Sequence, residues 1–61
     1  MMIECPTVKG TIYINSDSIV LILPMLDKGV PLLGEVEVVT RAGPFHVKRS
    51  MRDISEEING K

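Results

Sequence analysis

Apolar residues alternate with polar ones over two stretches of this chain and run without interruption over a third. Thr11 to Asn15 (TIYIN) alternates, with Ile12 and Ile14 on one face and Thr11, Tyr13 and Asn15 on the other. That is the two-residue period of a half-buried strand. Glu35 to Thr40 alternates too: Val36 and Val38 share one face, Glu35 and Glu37 the other. Arg41-Ala42-Gly43 then supplies a turn, in which Gly43 suits the left-handed position of a three-residue hairpin loop. Beyond it Phe45 and Val47 are expected inward, His46 and Lys48 outward. Ile19 to Leu23 is instead a continuous aliphatic run, the pattern of a central strand covered on both faces.

The remaining elements follow from turn and cap chemistry. Met2 to Cys5 starts a first strand, which Pro6 ends or places at an edge. Lys9-Gly10 signals a turn. Asn15-Ser16-Asp17-Ser18 is a cluster of residues whose side chains cap their own backbone. Ser50 is a good helix N-cap, and Asp53 sits where its carboxylate can reach back to the Ser50 amide. Met51, Ile54 and Ile58 form one narrow apolar stripe, with Arg52, Glu56 and Glu57 solvated. Asn59-Gly60 is a stop signal. A helix of about nine residues is too short to hold alone, where ~12–15 are marginal, so it must dock through its stripe. The pattern therefore predicts a single α+β domain over residues 1–61: a small, strongly curved antiparallel sheet of four to five strands, covered on one face by one C-terminal helix.

One segment breaks the rule that loops are polar. Pro24 to Gly34 (PMLDKGVPLLG) holds two prolines and two glycines, yet also Met25, Leu26, Val30, Leu32 and Leu33. A loop with five large apolar side chains must be covered, either by its own core or by a partner. This is the sharpest anomaly in the chain.

Composition narrows the choice. Sixty-one residues sit near the lower edge of independent stability, where disulfides, metals or oligomerisation are the usual supplements. One cysteine, Cys5, and one histidine, His46, provide neither a disulfide nor a four-ligand zinc site. Oligomerisation remains, so the first partner expected is a second copy. The longest apolar run is broken by Pro24 and far below the ~20 residues of a membrane span, so no membrane insertion is expected. A lone thiol and an N-terminus without signal-peptide features point to the cytoplasm. The net charge of −1 offers no long-range attraction to nucleic acid.

Two resemblances are carried by the residues just described. Met2, Ile3, Gly10, Ile12 to Asn15, Asp17, Ile19, Thr40, Gly43, Val47, Lys48, Ser50, Asp53, Ile54 and Ile58 fall in the order found in short bacterial FlbD/SwrD-type flagellar and swarming-motility proteins, which the chain resembles over most of its length. The resemblance implies a strand, a turn, a central strand, a hairpin and a helix. Arg49 stands where that family usually has an acidic residue, and the apolar loop is longer. More weakly, Asp17, Ile19, Ile22, Val36, Val38, Thr40, Gly43, Phe45, Val47, Lys48, Ser50, Met51 and Ile54 resemble the front half of LytTR-type domains, which implies DNA binding. The chain is also similar to small phage-encoded proteins.

Candidate chemistry is sparse. Arg41, His46, Lys48, Arg49 and Arg52 cluster around the second hairpin and the helix start, a candidate anion or nucleic-acid patch. Cys5 has no basic neighbour to activate it. Tyr13 is expected on an outer sheet face, able to anchor an interface. No catalytic constellation or phosphate loop appears, so neither enzymatic activity nor a cofactor is expected. The reading favoured is a non-catalytic, homo-oligomeric binding or adaptor module acting through protein–protein contacts, with Met25, Leu26, Val30, Leu32, Leu33 and Tyr13 as its interface. The alternatives are a weak nucleic-acid binder using the basic rim and a phage-encoded inhibitor or sponge of a host factor.

Overall fold

The computed structural model describes residues 1–60. Its elements are β1 (Met2–Thr7), β2 (Gly10–Asn15), a 3-10 turn (Ser16–Ser18), β3 (Ile19–Asp27), β4 (Val30–Thr40), β5 (Gly43–Val47) and α1 (Met51–Ile58). The class is α+β, as expected, with five antiparallel strands and one C-terminal helix. The strands form two sheets where one was expected: β1 pairs with β2, and β3, β4 and β5 pair in that order. The 3-10 turn divides them. The Asn15 side chain accepts from the Asp17 amide at 3.0 Å, and the Ser18 hydroxyl donates to the Asn15 carbonyl at 2.8 Å, so the chain is tied into a corner between β2 and β3. The two sheets are bridged where the Lys48 amide donates to the Pro6 carbonyl at 2.8 Å.

Two turns are built alike. In Thr7-Val8-Lys9-Gly10 the Thr7 hydroxyl donates to the Gly10 carbonyl at 2.6 Å and accepts from the Lys9 amide at 3.2 Å. In Thr40-Arg41-Ala42-Gly43 the Thr40 hydroxyl donates to the Gly43 carbonyl at 2.9 Å and accepts from the Ala42 amide at 3.1 Å. Gly10 and Gly43 have φ of 123° and 125°, a region that costs an L-residue strain and glycine nothing. The Thr40 hydroxyl, buried in the core, thereby meets its hydrogen-bonding requirement within its own turn.

The core lies between the sheets and the helix. Ile3, Cys5, Ile14, Val36, Val38, Val47 and Ile54 are buried, with Ile12, Ile19, Ile22 and Ile58 packed around them. The alternation in β2 and β4 thus orients those strands as their sequence indicates. Helix α1 is capped by the Ser50 hydroxyl, which accepts from the Asp53 amide at 3.0 Å. Gly60 follows it at φ 87°, the usual left-handed terminator.

Four expectations are decided or corrected here. First, of the two outcomes open for Pro6 the edge holds: β1 continues to Thr7, with Pro6 opposite Thr11 in a two-stranded sheet. Second, Ile19–Leu23 is not in a central strand. β3 is an edge strand covered on its inner face alone, leaving Leu21 and Leu23 each 44% exposed. Third, Phe45 is not in the core although it sits opposite buried Val38. It lies over the end of the smaller sheet, beside Val8 and Ile12, and stays 36% exposed. Fourth, Met51 is also 36% exposed, so the helix stripe narrows to Ile54 with support from Ile58.

Candidate interaction surface

The apolar segment Pro24–Gly34 is not a loop. β3 and β4 run on through it as a two-stranded arm, closed by the two-residue turn Lys28-Gly29 with Asp27 opposite Val30. Lys28 and Gly29 have φ of 54° and 84°. Two consecutive positive φ values mark the turn whose twist matches the flanking strands. Both prolines fit because each strand here has a free side. β3 is an edge throughout, and β5 pairs with β4 only from Val36 onward, so an absent N–H breaks no ladder bond on that side.

This arm and its base carry six of the twelve exposed large apolar residues among the described residues. Val20 is 63% exposed, Leu26 58%, Val30 63% and Leu33 90%, besides Leu21 and Leu23. Met25 and Leu32 are half-buried. On the inner side, Pro24, Pro31, Leu32, Leu33, Val36 and Met51 line a shallow groove of about 370 Å³ between the arm and the start of the helix. On the outer side two cross-strand rows run over β3, β4 and β5. One is Leu21, Val39 and Pro44; the other is Leu23, Glu37 and His46. Two register shifts interrupt the β3–β4 ladder: between Ile19 and Leu21 the extra residue is Val20 on β3, and between Pro24 and Leu26 the excess is on β4, where Leu32 to Glu35 stand against Met25.

Of the residues expected at an interface, Met25, Leu26, Val30, Leu32 and Leu33 therefore come together on one hairpin. Tyr13 does not join them. It is 62% exposed on the smaller sheet, opposite Glu4. Val20, Leu21 and Leu23 also belong to the exposed apolar surface and were not among the residues expected there. Their signal was the unbroken aliphatic run, which requires cover on two faces and finds it on one.

The basic residues are dispersed among separate tasks. Arg49 is a clamp. Its guanidinium donates from Nε to Asp53 at 2.9 Å and from Nη1 to the Glu4 carbonyl at 2.9 Å, and pairs with Glu57 at 2.8 Å, with 16% of its side chain exposed. It joins β1 to both turns of α1. The Asp53 carboxylate is thus engaged by Arg49, not by the Ser50 amide as expected. His46 pairs with Glu35 across β4 and β5 at 2.6 Å, and Arg52 with Glu56 along the helix at 3.3 Å. Arg41 and Lys48 are exposed and make no ion pair among the described residues. Cys5 is buried, and burial pushes its thiol up, the reverse of what a nucleophile requires. No helix among the described residues is long and apolar enough to cross a membrane.

The clamp has a pH signature. The hydrogen bond from Arg49 holds the Asp53 carboxyl below its ordinary value. A carboxyl lowered in the folded state stabilises the fold above its unfolded pKa, near 3.9. That contribution is lost as pH falls through the folded value. Asp53→Asn is therefore expected to lower the Tm at pH 7 and to converge on wild type as pH is taken from about 5 to about 2. Thermal melts by circular dichroism measure this; a Tm gap constant over that range would show that the pair contributes nothing.

No family model, no curated protein and no solved structure matches this chain.

Proposed function

We propose that this chain is a non-catalytic, homo-oligomeric binding module that acts through protein–protein contacts made by the β3–β4 hairpin. The observation that carries the reading is the concentration of exposed aliphatic side chains on that one hairpin, from Val20 to Leu33. Exposed apolar surface concentrated on one element marks interaction sites. A 61-residue domain gains from association what it cannot bury alone. The nucleic-acid alternative loses its support, because Arg49, His46 and Arg52 each face a carboxylate and the cations that remain, Arg41 and Lys48, are not part of the apolar surface.

Light scattering coupled to gel filtration tests the reading. At about 100 µM chain, two decades above a ~1 µM Kd, the expected mass is at least twice the 6.7 kDa of the chain. A monomer at that concentration overturns self-association. Filter retention of short duplex and single-stranded DNA at low salt is expected to show no binding; salt-sensitive retention would restore the alternative.

A further inference from the structure

We infer that the free edge of β2 is the seat of a second copy of this chain, whose own β2 pairs antiparallel with it and joins two two-stranded sheets into one of four strands, β1-β2-β2-β1. The inference rests on the self-association proposed above. It gives that contact a place and leaves the β3–β4 hairpin to a different protein.

The open side of β2 follows from its pairing with β1. Thr11 stands opposite Pro6, which has no N–H, and the Pro6 carbonyl accepts from the Lys48 amide, away from β2. This is therefore a non-hydrogen-bonded pair, and the two kinds of pair alternate along an antiparallel ladder. Tyr13 opposite Glu4 and Asn15 opposite Met2 are of the same kind. The Glu4 carbonyl agrees, since it too leaves the sheet, to accept from Arg49. The backbone N–H and C=O groups of Thr11, Tyr13 and Asn15 thus point away from β1. The Asn15 carbonyl already holds the Ser18 hydroxyl and has a second lone pair to offer.

Open edges invite another strand, and proteins blunt them with prolines, charges and bulges. The four prolines of the chain, Pro6, Pro24, Pro31 and Pro44, stand one in each of β1, β3, β4 and β5. β3 also carries the extra residue Val20, and β5 lies between Arg41 and Lys48. β2 has no proline, no charged residue and an unbroken register. The apolar groove between the arm and the helix start receives a side chain rather than a strand and has Glu35 and Arg52 on its wall. It specifies no second copy and belongs to the hairpin's contacts with other proteins.

β2 is also self-complementary. A two-fold axis through Tyr13 sets Thr11 against the partner's Asn15 and Tyr13 against the partner's Tyr13, each pair exchanging both backbone bonds. The Tyr13 rings, 62% exposed in the single chain, meet side by side on the outer face, a favourable cross-strand pair. A shallow cleft of about 280 Å³ runs beside the β2 edge, with Ala42 and Phe45 on its far wall. The incoming strand therefore covers the Phe45 ring that one chain leaves exposed. A two-stranded sheet is marginal where three or more strands are stable, and the pairing supplies them. Six residues of edge make a small contact, in the class below ~1,200 Å², so micromolar association follows.

Light scattering over a dilution series compares wild type with Tyr13→Lys, Tyr13→Glu, their equimolar mixture and Leu33→Asp, with circular dichroism to verify folding. Each charged variant alone sets like charges opposite one another and is expected to raise the dimer Kd at least ~10-fold. The mixture sets lysine against glutamate and is expected to return within ~3-fold of wild type, as is Leu33→Asp. Dissociation by Leu33→Asp while the Tyr13 variants stay dimeric overturns the placement and keeps self-association. Dissociation of both charged variants with no recovery on mixing overturns the axis through Tyr13. A monomeric wild type at about 100 µM overturns self-association and placement together. Should the charges unfold the chain, hydrogen exchange of the wild type decides. The Thr11 and Tyr13 amides are expected to exchange at least ~3-fold more slowly at about 1 mM than at about 10 µM chain; equal rates overturn β2 as the contact.

Discussion

Ile54→Ala is expected to unfold much of the protein at 25 °C. Ile54 is the helix residue with no exposed surface, packed among Ile3, Cys5, Val36 and Val47. Truncating a buried isoleucine costs about 2–5 kcal/mol, a transfer loss plus a cavity that the neighbours fill only in part. Domains of this size have roughly 3–5 kcal/mol in total. The helix has no other fully buried side chain and, at eight residues, no stability of its own. A Tm fall of about 12–24 °C follows from a loss of ~3 kcal/mol. Melts should compare equal chain concentrations, because association raises apparent stability. A fall of only a few degrees would mean that the helix is dispensable to the core. Ile58→Ala, at a partly buried position, is expected to cost less.

Arg49→Met should have the next largest effect. Methionine retains the apolar stem and removes the head that joins Asp53, Glu57 and the Glu4 carbonyl. Three acceptors lose a charged donor, and Asp53 and Glu57, one helical turn apart, then repel. A largely covered cation lies between exposed pairs, worth ~0–1 kcal/mol, and buried pairs, whose rupture costs ~3–5 kcal/mol. About 2 kcal/mol is expected, or a Tm lower by ~8–16 °C. A double-mutant cycle with Glu57→Gln isolates the ion pair. Zero coupling between positions 49 and 57, or a Tm unmoved by Arg49→Met, would reduce Arg49 to a surface charge and return it to the candidate anion patch.

Much of the architecture was legible because it is local. Ile12 and Ile14, Val36 and Val38, Ser50, Ile54 and Gly60 each declare their role through neighbours two to four residues away. What failed was non-local. Nothing near Ile19–Leu23 states how many layers the molecule has, so a two-sided aliphatic strand read as central although no second layer covers it. Phe45 has the correct phase for the core, but its exposure depends on where the other sheet ends, some 35 residues earlier at Gly10. The segment at Pro24–Gly34 read as a loop because two prolines counted against strand, and only sheet order shows that both have a free side. Within it, Asp27-Lys28-Gly29 was the missed local signal: an Asp before a Gly-containing pair, flanked by apolar runs, is hairpin chemistry. The basic cluster was close in sequence, yet strand alternation and the helix start sent its members to different faces. Arg49 in particular belongs with Glu4, which is 45 residues away.

That same separation sets an order of assembly. Each sheet is made of strands adjacent in sequence, and the matched threonine–glycine turns at Thr7–Gly10 and Thr40–Gly43 let two of its hairpins close with their own hydrogen bonds. Short loops close fast, and long ones carry the entropic cost. The joins between Lys48 and Pro6 and between Arg49 and Glu4 then form late, as a clasp between two preformed halves. Arg49→Met should therefore steepen escape from the native state while leaving the refolding rate nearly untouched. The clasp governs how long the molecule stays folded, not how quickly it gets there.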